Sequence, residues 1–146
     1  MKSDLKIFFG DVISLNKDER LRLARKTLLN VFTYLNEMGL SPMRRMEVIE
    51  DAVYLSALID GDINEEETLF IAAALNINAS LEEAKEVGNR IKIKEAEDLL
   101  LNTIAQFEID PGMDMCRLIL IGELSDSDDI NQVEEEFLEK MLFKLL

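Results

Sequence analysis

The chain has no histidine and one cysteine in 146 residues, and both scarcities remove a class of function. Without histidine there is no Ser-His or Cys-His nucleophile and no histidine-ligated zinc, so any metal must be held by oxygen. Cys116 cannot close an internal disulfide. Its apolar neighbours Leu118, Ile119, Leu120 and Ile121 mark a buried structural thiol, because reactive thiols occupy electropositive, partly open places. The six glycines are scattered singly, so no phosphate-cradling loop is present. No apolar run approaches the ~20 residues of a membrane helix, and Asp4 is out of place in a signal sequence. The expected location is cytoplasmic, with no membrane partner.

What the chain does contain is 48% hydrophobic residues, rich in Leu, Ile, Ala, Glu and Met. That composition favours helices over turn-dense sheets, and the length suits one compact domain. The expected fold is all-α, a single-domain bundle of about seven to eight helices. The formal charge is −14 and unevenly spread: residues 1–45 carry nine Lys+Arg against five Asp+Glu, and residues 46–146 carry seven against twenty-five. So acidic a surface repels nucleic acid. The basic stretch Lys17, Arg20, Arg22, Arg25 and Lys26 reads as a solvated helix face, with a local anion or nucleic-acid patch as the alternative. Folding of the basic end onto the acidic remainder is a simple use for the polarity, and predicts stability that falls as salt rises.

Periodicity and capping signals place the segments. A first helix runs from Ser3 or Asp4 through Val12, and a second from about Asp18 to Met38, closed by Gly39. Ser41-Pro42 opens a third through Leu58, whose second half is apolar nearly all round and therefore central. A fourth spans Glu65 to about Leu75. Ser80 with Glu83 reads as a capping box for a fifth, to about Arg90. A sixth covers about Lys94 to Glu108 and stops before Asp110-Pro111-Gly112. A seventh, Met113 to Leu124, and an eighth, Asn131 to Leu146, complete the order.

Two joints stand out, because helix three, loop and helix four parallel helix seven, loop and helix eight. Asp62-Ile63-Asn64…Glu67 and Asp129-Ile130-Asn131…Glu134 repeat one pattern, and a single inserted residue aligns Asp60 with Asp126. Each isoleucine can pin its loop to the core. Each asparagine can cap the next helix while the glutamate reaches back, an arrangement worth ~1 kcal/mol that explains both residues without a ligand. Acids near a helix N-terminus are also favoured by its dipole. Capping does not explain the surplus of Asp60, Asp62, Glu65, Glu66, Asp126, Asp128 and Asp129, whose repulsion a hard cation such as calcium or magnesium would relieve. An EF-hand is excluded by position. With Glu67 at loop position twelve, Ser56 and Leu58 fall where aspartates belong, and with Glu134 there, Asp128 replaces the glycine. A site shared between two apposed loops is the arrangement left.

The run Tyr54-Leu55-Ser56-Ala57-Leu58-Ile59-Asp60-Gly61-Asp62-Ile63-Asn64-Glu65-Glu66-Glu67 resembles the signature of the tellurite-resistance TerB-like family. The resemblance covers residues 42–146, with residues 1–40 as additional basic helices. It implies an all-helical fold with two related helix-loop-helix units and acidic residues that bind metal: Asp60, Asp62 and Glu67 at the first joint, Asp126, Asp129 and Glu134 at the second. At the second joint the family's Asp-Gly is replaced by Asp126-Ser127 or Asp128-Asp129. The expected function is a non-enzymatic module that binds a divalent cation and acts through a protein partner. The alternative is a metal-independent interaction or homo-oligomerisation domain using Met38, Met43 and Met46 or the stripe Phe137, Met141, Leu142, Leu145 and Leu146. Catalysis is not expected, since carboxylates at helix starts have their pKa values lowered, away from those of acid-base catalysts.

Overall fold

Asn16, Ser41, Asn64, Ser80 and Asn131 each accept a hydrogen bond from the backbone N–H three residues ahead, at 2.9 to 3.2 Å, and each starts a helix. Four of the five are closed reciprocally, with Glu19, Glu67, Glu83 or Glu134 accepting from the backbone N–H of the capping residue. Ser41 is instead followed by Pro42 at the first helical position, where a missing N–H costs nothing. These local choices satisfy the orphan donors that every helix start exposes.

The computed structural model describes residues 1–59 and 61–146, and among the described residues the regular elements are nine helices. They run α1 (Ser3–Phe8), α2 (Gly10–Ile13), α3 (Lys17–Glu37), α4 (Pro42–Leu58), α5 (Glu65–Leu75), α6 (Leu81–Arg90), α7 (Ile93–Ile104), α8 (Ile109–Glu123) and α9 (Gln132–Leu145). The all-α expectation holds. Three boundaries differ from the sequence reading, the first being the end of α7 at Ile104 where the expected sixth helix runs on to Glu108. Phe9, fully buried at φ −120° and ψ 23°, divides the expected first helix into α1 and α2. Asp110-Pro111-Gly112 lies within the first turn of α8 and does not precede it, because a proline there forfeits only a donor with no intrahelical acceptor.

The core is one cluster of buried side chains from Leu5 to Leu142. Its axis is α8, where Met115, Cys116 and every residue from Leu118 to Glu123 are buried, so in its second half only Arg117 reaches water. The central position expected for the third helix is also observed, with Ala52 to Ala57 of α4 all buried. The long helix α3 packs on α8 and α5, α4 packs on α7 and α8, and α9 lies against α8 and α7. Gly122 marks the α4–α8 crossing, since a Cβ built there would stand 2.0 Å from Ser56 Oγ and 2.8 Å from Phe70 Cε2. Only a hydrogen atom fits.

Basic residues of the N-terminal segment do reach the acidic remainder. Lys2 pairs with Glu139 at 2.7 Å and Lys17 with Glu66 at 3.1 Å. Both lysines are largely exposed, so solvent and salt screen both pairs and neither anchors the fold. The expectation of a uniformly solvated basic face fails at Arg20, which is buried. Of the hydrophobic stripes, Met43 and Met46 are exposed, whereas Phe137, Met141 and Leu142 are core and Leu146 is exposed.

Candidate functional site

The last turns of α4 and α8 deliver the two acidic loops, and the loops touch. Asn64 places Oδ1 on the Glu67 N–H at 2.9 Å, capping α5, and turns its Nδ2 donor outward to Asp126 Oδ2, also at 2.9 Å. One amide thus caps its own helix and bridges to the opposite joint. Ile63 and Ile130 are buried and anchor the loops from below, as their positions in the repeat suggested. Gly61 sits at φ +145°, a conformation L side chains rarely adopt, and its N–H returns to Leu58 O at 3.0 Å.

The structure sorts the six carboxylates singled out from the sequence. Asp60 lies outside the described residues. Asp62 is exposed. Glu67 and Glu134 are 2% and 3% exposed, and each uses Oε1 to accept the backbone N–H of its capping asparagine, at 2.9 and 3.0 Å. Asp126 is half-buried and meets Asn64. Asp129 is exposed. Its Oδ1 accepts from the Ile130 N–H at 2.8 Å, the main reason that its carboxyl is held below the usual carboxylate range. Ser127 turns back within the same loop, its hydroxyl donating to the Asp129 carbonyl.

Glu123 was missed as part of this region. It is 1% exposed in the final turn of α8, directly before the second joint. The sequence places it at the end of an apolar helix, where a carboxylate ordinarily turns to water, so periodicity alone gives no signal of its burial. Around the cross-loop contact, Asn64, Glu65, Glu66 and Asp126 line a shallow open cleft. The arrangement is strongly anionic and offers hard oxygen donors. Among the described residues, no three acidic or cysteine side chains stand close enough together to hold a metal ion.

Away from the joints, burial pushes the Cys116 thiol up to about 12, which fits the structural role read from its neighbours. Asp51 on α4 is pushed up to about 6, first by burial and then by the charges of Glu47 and Glu50. Among the described residues no helix is long and apolar enough to cross a membrane. Comparison with protein-family models, curated proteins and solved structures found no match to this chain.

Proposed function

We propose that the chain is a non-enzymatic, cytoplasmic TerB-like module of two related helix-loop-helix units, α4–α5 and α8–α9, whose apposed acidic joints share a divalent cation. The observation that carries this reading is the Asn64–Asp126 hydrogen bond, which puts the two loops at 2.9 Å. Carboxylates from both loops are thereby collected on one anionic surface, and calcium or magnesium would neutralise it with oxygen ligands. The proposed ligands are drawn from Asp60, Asp62 and Glu67 on one side and Asp126, Asp129 and Glu134 on the other. Cation binding would fix the loops and present that state to a protein partner.

Calorimetric titration of calcium, magnesium and manganese into metal-stripped protein tests the reading. A bound ion at a hundred times its Kd stabilises by ~2.7 kcal/mol, visible as a higher Tm. Absence of heat, together with a Tm no higher than in potassium at equal ionic strength, would remove the cation from the account.

A metal-independent interaction domain is the second reading, supported by a different surface. Phe8, Phe143 and Leu146 are exposed where α1 meets α9, and a groove of about 240 Å3 runs between Leu5, Phe8, Leu142 and Phe143. Phe143 alone is 75% exposed. Sedimentation of the chain and of Phe143→Glu separates the readings: a dimer abolished by that change, with no cation dependence, favours the second.

A further inference from the structure

Arg20 belongs by sequence to a basic helix face, yet it is only 7% exposed. A guanidinium presents five N–H donors and a charge, and burying it is costly unless both are met. Its Nε donates to Val12 O at 3.2 Å and its Nη2 to Ile13 O at 2.9 Å, at the end of α2. Those carbonyls satisfy two donors and carry only partial charge. Neighbouring ion pairs form without it, Lys17 with Glu66 and Arg117 with Asp11 and Asp114. Among the described residues, no carboxylate pairs with Arg20.

The same guanidinium lines a cavity of about 210 Å3 between α3, α5 and α8, whose other walls are Leu21, Leu69, Ile121, Leu124 and Ser125 together with Lys17 and Glu66, which pair with each other at 3.1 Å and leave the Arg20 charge in excess. Leu69 is 63% exposed although it opens the apolar part of α5, Leu69 to Leu75. A few polar groups in an apolar hollow are the usual make-up of a small-molecule site. A hollow of this size suits a small ligand with a short alkyl chain.

We propose that this cavity binds a short-chain carboxylate, its two oxygens on the remaining Arg20 donors and its alkyl chain against Leu21, Leu69, Ile121 and Leu124. The anion supplies the full counter-charge that the α2 carbonyls lack, and the chain covers Leu69. Selectivity follows from the same two elements. An alcohol of equal length fills the hollow but leaves the guanidinium without its anion, and an alkylammonium adds a like charge. The site needs no divalent cation and stands or falls apart from the reading of the acidic joints.

Amide chemical shifts of the full chain, recorded in excess chelator at constant ionic strength, test it with hexanoate, hexanol and hexylammonium. Hexanoate should shift the amides of Arg20, Leu21, Leu69 and Leu124 saturably at millimolar concentration, and hexanol should bind about tenfold more weakly or worse, the loss expected for one charge-assisted hydrogen-bonded pair. Arg20→Gln should bring hexanoate down to the level of hexanol. Equal binding of acid and alcohol, or hexanoate binding unchanged in Arg20→Gln, overturns the proposal, as does a lack of saturable shifts. Should Arg20→Gln fail to fold for want of the α2 contacts, Leu69→Glu at its exposed position is the second variant. It must abolish hexanoate binding in a folded chain, and retained binding overturns the proposal equally.

Discussion

Replacing Gly122 by alanine perturbs the point from which both acidic joints are delivered. Alanine is the better helix former by ~1 kcal/mol, so the change would stabilise an unobstructed helix. Here the new methyl would lie 2.0 Å from Ser56 Oγ, 2.7 Å from Ser56 Cβ and 2.8 Å from Phe70 Cε2. Ser56 Oγ can rotate away, giving up its 2.8 Å bond to Val53 O. Its Cβ is fixed to the α4 backbone, so relief requires α4 and α8 to separate. Overpacking of this kind costs ~1–3 kcal/mol or more, and with a contact at the backbone-fixed Cβ the upper part of that range applies. Net of propensity, the expected loss is ~2 kcal/mol, a fall in Tm of roughly 6 to 10 °C for a chain of this size.

Thermal and urea unfolding followed by helical circular dichroism measure the loss, and a double-mutant cycle identifies its cause. Ser56→Gly removes both Ser56 atoms from the contact, so Gly122→Ala with Ser56→Gly should recover a large part of the loss. The coupling should be at least ~1 kcal/mol, although Ser56→Gly alone is destabilising. Gly112→Ala serves as the control. Its methyl would meet Leu145 Cδ2 at 2.1 Å, but that atom is the tip of a flexible side chain at the end of α9 and can move aside. A Gly122→Ala chain as stable as the parent, or strictly additive single changes, would refute the close crossing of α4 and α8.

Other perturbations read single contacts. Asn64→Asp keeps the capping oxygen for the Glu67 N–H but sets a carboxylate against Asp126 in place of the 2.9 Å hydrogen bond, so it should cost ~1 kcal/mol at low salt and less at high salt. Asn64→Ala loses cap and bridge together and should cost ~1–2 kcal/mol with little salt dependence; identical salt responses of the two would discount the cross-loop contact. Asp51, raised to about 6 in the folded chain, keeps between about pH 4 and 6 a proton that the unfolded chain releases. Its contribution to stability therefore falls as pH rises through that window. Asp51→Asn should be more stable than the parent by ~1–2 kcal/mol at pH 7, after allowing for solvent screening of a half-buried group, and equal to it near pH 3.5; a difference independent of pH would count against a raised pKa. Cys116, fully buried and pushed up to about 12, should resist a thiol reagent at pH 8 until the chain is unfolded by urea, and prompt reaction of the folded chain would contradict its placement.

The helices most legible in the sequence were those whose ends carry their own chemistry. Ser41-Pro42, Asn64 with Glu67, and Ser80 with Glu83 fixed three starts because capping is a contact within one turn and needs no tertiary information. The division at Phe9 was invisible for the opposite reason. Phe9 continues a helical apolar pattern, and only its burial explains why the chain bends there. Pro111 misled because proline is a breaker inside a helix and acceptable in its first turn, and sequence alone did not say which turn it occupied.

The same division between local and tertiary signals governs the charged residues. Asp62 and Asp129 advertise themselves in sequence by crowding, yet both are exposed and solvent reduces their mutual repulsion. Arg20 and Glu123 look ordinary in the chain, one in a basic stripe and one at a helix end, and both are almost fully buried. Position relative to α8 decides this. Arg20 comes from α3, which packs on α8, and Glu123 ends the run of α8, Leu118 to Glu123, that is buried throughout. A polar group placed by that packing must be met by particular partners, whereas one at the surface is met by water, so the surroundings of Arg20 constrain binding chemistry more tightly than the acidic loops do.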